Sequence, residues 1–310
     1  MPAYDDDVTQ LLATMPHRPG GLKSTGVGAT RQLVESTPQP EEPRIRDVTC
    51  LAIEGPHGQI PVRLYRPPGI TAPSPALVYF HGGGMMSGSV DSFDYFARRL
   101  ATETRAVVAS VDYRLAPEFT YPVGNDEAYA AWRWLVEGHK EFGIAAGRIG
   151  LVGDSAGGSL AASVALRARD AGGEVPAIQV LMYPGLERAS SGSASLKEFA
   201  DTPFLKVSDV EWMKALYLGE DESADTPDGV PSLARDLVGL PPAVVVTAEM
   251  DPLRDGAEQY AARMRDSSVP VMMMRFPGVG HGFMAQAGWI NRGSQAFTWA
   301  GALTRAILST

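Results

Sequence analysis

The sequence predicts an α/β protein built on a mostly parallel sheet with helices on both faces, and three observations predict it. From residue 76 onward, short apolar runs alternate with helical segments of ten or more residues, the pattern of βα units whose sheet is buried on both sides. One of those runs, residues 148–152, passes into an Ala/Leu-rich helix through Gly153-Asp154-Ser155-Ala156-Gly157, a tight strand-to-helix turn. The length of 310 residues is ordinary for one α/β domain carrying an insertion and is enough to bury a sizeable core.

Taken in order, Val8, Leu11, Leu12 and Met15 recur at helical spacing behind Asp5-Asp6-Asp7, whose charges favour a helix N-terminus. The chain therefore opens on a short amphipathic helix. Residues 16–44 mix Pro, Gly and polar residues around one helical stretch near 30–35. Two strand-like runs follow at about 47–53 and 60–65, and the turn Gly55-Pro56-His57-Gly58 joins them as an antiparallel hairpin. After the Pro-rich linker 67–75, strands are expected at 76–80, 106–111, 149–152, 178–182, 243–247 and 271–275. Helices fit at about 91–104, 125–140, 156–171, 254–266 and 293–308.

One interval breaks the alternation. About sixty residues separate the strand ending near Tyr183 from the one starting near Ala243, too many for a simple crossover. They hold helical stretches rich in large apolar residues, among them Phe199, Phe204, Leu205, Trp212, Met213, Leu216 and Tyr217, and read as an inserted cap. The expected organisation is an α/β body at 46–185 and 230–310, an inserted cap segment at 186–229, and an N-terminal arm at 1–45 that completes the cap. The apolar faces of arm and insertion are expected to be buried against each other, over the opening above Ser155.

Composition narrows the function classes. The net charge of −9 and the absence of a Lys/Arg stripe argue against nucleic acid or an anionic membrane as the main partner. The single cysteine, Cys50, lies in an alternating strand run and reads as a buried thiol with no intramolecular disulfide partner. The first seven residues are acidic and lead into no apolar segment of signal type, and no run reaches transmembrane length, so a cytoplasmic protein is expected.

A Gly-x-Ser-x-Gly arises by chance in a chain with 33 glycines; a β-type run before it and a helix after it are what make this one a candidate nucleophile turn. Flanking glycines allow the tight turn, with Ser155 exposed at the carboxyl edge of the sheet and the Ala156 N–H at a helix N-terminus. Serine alone is a poor nucleophile, so a histidine base, an orienting carboxylate and oxyanion donors should exist elsewhere. His81-Gly82-Gly83-Gly84 follows the run 77–80, and the N–H groups of Gly82 and Gly83 join that of Ala156 as candidate donors. His81, Gly84 and Asp154 read as shaping the two loops. No Gly-Lys-Ser/Thr or Gly-x-Gly-x-x-Gly accompanies the glycines, which argues against a phosphate loop.

Of five histidines, His17, His57 and His139 read as surface residues, and His81 starts the glycine loop. His281, just past the last strand in Gly278-Val279-Gly280-His281-Gly282-Phe283, stands at the same carboxyl edge as Ser155 and is the candidate base. Asp251, in the turn past the strand 243–247, is preferred as the orienting carboxylate to Glu249 and Asp255, with helix capping the alternative for each. The chain order Ser155, Asp251, His281 is that of the α/β-hydrolases. No metal cluster or cofactor motif appears, and this chemistry needs neither.

Together, HGGG at 81–84, YRLAPE at 113–118, GDSAG at 153–157, DPLRD at 251–255 and HGF at 281–283 resemble the hormone-sensitive-lipase-like branch of the α/β-hydrolases, the bacterial family IV esterases. The resemblance implies an eight-stranded sheet, a helical cap built from an N-terminal arm plus the insertion, hydrolysis of short to medium acyl esters, and a homodimer through the sheet edge. The catalytic positions show no departure, whereas residues 1–45 match only in general character. Two other functions fit the fold: amide or aryl-acetamide deacylation on the same triad, and a non-catalytic ligand receptor, which would be expected to lack a triad member.

Overall fold

The computed structural model describes residues 3–15, 18, 20–41, 43–219 and 226–309. Its sheet begins with the antiparallel hairpin of β1 (Asp47–Gly55) and β2 (Gly58–Arg66), paired down to Gly55 opposite Gly58, so that Pro56 and His57 alone form the turn. In β2, Ile60, Val62 and Leu64 alternate inward and are buried. β1 is the outermost strand, and Val48, Cys50 and Ala52 share a face that is exposed. Cys50 is thus an exposed thiol and not a buried one: strict alternation fixes which residues share a face of a strand, but an edge strand has no helix covering the face that carries Cys50.

Six further strands complete the sheet: β3 (Ser74–Phe80), β4 (Val107–Val111), β5 (Ile144–Asp154), β6 (Gln179–Met182), β7 (Ala243–Met250) and β8 (Val271–Gly280). Their order is β1-β2-β4-β3-β5-β6-β7-β8, with β2 antiparallel to β4 and every later pairing parallel. Side chains alternate between two apolar layers. Val78 and Phe80 pack with α4 (Val123–Glu137), α5 (Ala156–Asp170) and α8 (Arg254–Asp266) on one face. Leu77 and Tyr79 pack with α3 (Asp94–Thr104) and α9 (Asn291–Leu308) on the other. The order reverses at β3, which has β4 on one side and β5 on the other, and Ser155 leaves the sheet at the carboxyl end of β5, beside this switch point.

The last two strands run further than their apolar stretches indicate. β7 and β8 stay paired through a register shift to Met250 opposite Gly280, so the next residue of each, Asp251 and His281, leaves the sheet side by side. The insertion between β6 and β7 contains α6 (Ala194–Glu198) and α7 (Val207–Leu218).

The N-terminal arm forms α1 (Asp6–Thr14) and α2 (Gly26–Ser36). The apolar face of α1 packs mainly on the α/β body, and not on the insertion where the sequence reading places its partner. Val8 is wholly buried in the layer of Phe283, Met284 and Phe297, with Leu11 and Leu12 packed against it. Hydrogen bonds from Asp5 N to Gly278 O (2.9 Å) and from Asn291 N to Asp7 Oδ2 (2.8 Å) pin the helix there. Among the described residues, arm and insertion are joined by the edge-to-face pair Tyr4–Phe204 and by the bond from Lys23 N to Asp209 Oδ1 at 2.9 Å. α2 lies over the segment after the glycine loop, where Arg31 donates to Met86 O, Ala116 O and the Glu118 carboxylate. His57 is exposed and His139 half-buried, its Nδ1 2.9 Å from Val136 O, whereas His17 lies outside the described residues. Among the described residues, no helix is long and apolar enough to cross a membrane.

If α1 is held by this apolar contact, Val8→Ala should lower stability by about 1–2 kcal/mol, read as a lower urea midpoint at unchanged slope. Ala13→Ser, at an exposed position of the same helix, should leave the midpoint where it is.

Candidate active site

The site starts from a steric constraint. An ideal Cβ on Gly157 would lie 1.9 Å from Phe80 O, and one on Gly153 would lie 2.1 Å from Gly157 O. Only glycine at both positions lets the first turn of α5 press against the end of β3. Between them Ser155 adopts φ 53° and ψ −117°, a conformation that costs a non-glycine residue on the order of 1–3 kcal/mol and that turns its side chain out of the helix. The serine N–H is held by Met182 O at 2.8 Å.

Ser155 Oγ lies 2.8 Å from His281 Nε2, and His281 Nδ1 lies 2.8 Å from Asp251 Oδ2. Asp251 is 1% exposed, and its other oxygen accepts the Leu253 N–H at 2.9 Å, so it caps the turn and faces the imidazole at once. With Nδ1–H donated to a carboxylate, Nε2 is the nitrogen left to accept a proton from Ser155. The other two carboxylates are engaged elsewhere: Glu249 accepts the Gly278 N–H, and Asp255 accepts the Ser195 N–H and pairs with Arg254. Tyr183 meets the His281 ring edge-on, with centroids 5.2 Å apart.

Asp154 ties the two loops together. Its Oδ1 accepts the Tyr79 hydroxyl at 2.8 Å and the Gly82 N–H at 2.9 Å. Burial pushes this carboxyl up to about 7, with the Tyr79 and Gly82 hydrogen bonds opposing the shift. The same bond corrects the expected set of oxyanion donors. The Gly82 N–H is already committed to Asp154 and does not point at a substrate, whereas among the described residues the N–H groups of Gly83, Gly84 and Ala156 have no acceptor. Gly83 and Gly84 reach this orientation through φ values of 113° and 65°. His81 is buried, its Nδ1 2.7 Å from Gly82 O and its ring stacked between Phe93 and Tyr113. Burial pushes it down to about 4, so the imidazole is neutral near pH 7 and serves as a packing element of the loop. Tyr113, from the YRLAPE motif, donates to His81 O at 2.7 Å.

A largely apolar cavity opens from Ser155 and Ala156 and is walled by Met85, Leu205, Val210 and Met213. Among the described residues its walls come from the glycine loop, the ends of the strands and the insertion, with none from the arm. A Cβ on Gly84 would fall 2.1 Å from Met213 Sδ, so α7 packs directly on the third glycine of the loop, which itself stands at φ 65°. Sequence reasoning missed Tyr79 as a partner of Asp154 and Lys214 as a cavity residue. Tyr79 carried no signal beyond membership of an apolar strand, and Lys214 looks like an ordinary solvated lysine on a helix.

A serine, an imidazole and a carboxylate in this chain order, at the carboxyl ends of a mostly parallel sheet, define the class of the α/β hydrolases. The family model described as alpha/beta hydrolase fold matches residues 77–285. The chain is 39% identical over 299 residues to Esterase LipI of Mycobacterium tuberculosis, covering 95% of this chain and 92% of that protein. It is 38% identical over 287 residues to Carboxylesterase NlhH of the same bacterium, covering 91% and 89%. Its structure matches the esterase of Pyrobaculum calidifontis with a TM-score of 0.89 at 34% identity, covering 99% of this chain and 100% of that one. The chain belongs to the hormone-sensitive-lipase-like branch of the α/β hydrolase family, as its motifs indicated.

The raised Asp154 carboxyl has a consequence for stability. In the unfolded chain this group ionises in the usual carboxylate range, and in the folded protein only near pH 7. Its contribution is therefore complete below the usual range and is lost as pH rises towards 7. Stability relative to Asp154→Asn should fall between about pH 4 and 7 and then level off, as measured by urea unfolding across that range. A difference independent of pH would mean that Asp154 ionises in the folded protein as it does in the unfolded chain.

Proposed function

We propose that the chain is a carboxylesterase that hydrolyses short to medium acyl esters through an acyl-enzyme on Ser155. The observation that carries this reading is the relay from Ser155 Oγ through His281 to Asp251, both contacts at 2.8 Å, at the mouth of an apolar cavity. Ser155 Oγ attacks the ester carbonyl carbon while His281 Nε2 takes its proton, and Asp251 stabilises the imidazolium. The negative charge that develops on the carbonyl oxygen is met by the N–H groups of Gly83, Gly84 and Ala156. Collapse of the tetrahedral species expels the alcohol, protonated by His281. Water then attacks the acyl-enzyme with the same groups in the same roles, releasing the acid.

The relatives named esterase and carboxylesterase support the ester as the substrate bond. In this reading the body is 46–185 and 230–310, and the cap comprises the insertion 186–229 and the arm 1–45. Self-association as a homodimer is a further part of it, and β8 offers an edge strand with Met274 exposed at 38%.

Ser155→Ala should abolish turnover, by on the order of a millionfold, with the fold intact by circular dichroism. Asp251→Asn should lose about ten-thousandfold through the wrong imidazole tautomer, and Asp255→Asn far less. A fluorophosphonate probe should label Ser155 in the unaltered protein and nothing in Ser155→Ala; an active Ser155→Ala enzyme would sink the assignment.

Each acyl CH₂ buried in the cavity is worth about 0.8 kcal/mol until the cavity is filled. Across p-nitrophenyl esters from acetate to palmitate, kcat/KM should peak at about four to eight carbons, the range a closed apolar pocket buries. A steady rise to palmitate would show an open groove instead.

A further inference from the structure

The cavity wall is apolar with one charged exception. Lys214, on the third turn of α7, lines the same cavity as Ser155. Its Nζ donates to the backbone carbonyl of Glu187 and makes no ion pair with any described residue. The Glu187 carboxylate nearby is engaged by the Ser193 hydroxyl at 2.8 Å. An ammonium carries three N–H donors, and this bond uses one of them. The other polar side chains on the wall, apart from Ser155, are closed off: Ser159 donates to Gly185 O at 2.6 Å, and Tyr217 donates to Asn125 Oδ1. Burial pushes the Lys214 ammonium down to about 8, with Glu187 opposing the shift, so it stays largely charged near pH 7. Lys214 is half-buried in a wall otherwise formed by Leu205, Val210, Met213 and Leu218, where an ammonium is poorly hydrated.

We propose that Lys214 is a specificity-determining residue that selects acyl chains ending in a carboxylate, so that the favoured substrates are half-esters of aliphatic dicarboxylic acids. The proposal rests on the esterase reading and names the substrate class of the same site. A plain acyl chain of equal length leaves the ammonium poorly hydrated, while a terminal carboxylate accepts charge-assisted hydrogen bonds from it. The apolar walls hold the methylene segment between the two ends.

The test compares monoethyl succinate, glutarate and adipate with ethyl butyrate, pentanoate and hexanoate, with acid release followed in a pH-stat at pH 7. The unaltered enzyme should favour the half-ester over its plain counterpart at one or more of these lengths. In Lys214→Met, which keeps the stem and removes the charge, the ratio of the two kcat/KM values should fall by about tenfold or more. Lys214→Arg, which keeps the charge and donors, should restore most of it and supplies the measurement if the methionine variant does not fold. A purely structural role at the Glu187 carbonyl would change both substrates alike, and an unchanged ratio in Lys214→Met, or one that falls equally in Lys214→Arg, overturns the proposal. Preference for the plain ester at all three lengths in the unaltered enzyme overturns it too. Hydrolysis of neither class, with Ser155 unlabelled by a fluorophosphonate, is a different failure: it removes the esterase reading and this proposal with it.

Discussion

The contact on which the site depends is the absence of a side chain. Helix α5 begins so close to the end of β3 that no Cβ fits between Gly157 and the Phe80 carbonyl. That approach forces the bend at Ser155, gives the serine its unusual dihedral angles, and sets the segment after Phe80 beside the first turn of the helix. Everything the site needs on that side, from the Ala156 N–H to the glycines of residues 82–84, is within reach because two backbones touch. The strain at Ser155 is sustained by the surrounding sheet, whose central strands are buried on both faces.

The second half of the site is organised by a different pair of strands. Asp251 and His281 leave β7 and β8 at the point where their pairing ends, so the imidazole and its carboxylate are set relative to each other by sheet register. Between the halves stands Asp154, which spends one oxygen on Tyr79 and Gly82 and thereby decides which glycine amides stay free. It does not line the cavity, yet it holds the first amide of the glycine loop.

Much of this was legible in the chain because the signals are local. Ser155, Asp251 and His281 each follow an apolar β-type run, and in a parallel sheet such positions gather at one edge. What escaped depended on contacts between distant parts of the chain. Nothing in HGGG says that the first glycine amide is bound by a carboxylate 72 residues later. The alternation around Cys50 is real, but whether its face is covered depends on the position of β1 at the sheet edge. Val8, Leu11 and Leu12 were recognisable as an apolar face, and their partner was misplaced because an amphipathic helix does not name what it packs on.

The separation of wall and machinery has an evolutionary reading. The segment between β6 and β7 supplies Leu205, Val210, Met213 and Lys214 to the cavity, yet it carries none of Ser155, Asp251, His281 or the free amides. Drift in that segment alters the shape and charge of the cavity wall while leaving Ser155, Asp251 and His281 on their strands. The lining of the cavity and the serine–imidazole–carboxylate relay are thus separately heritable in this chain, and a mutational library confined to residues 205–218 would explore the first at little risk to the second.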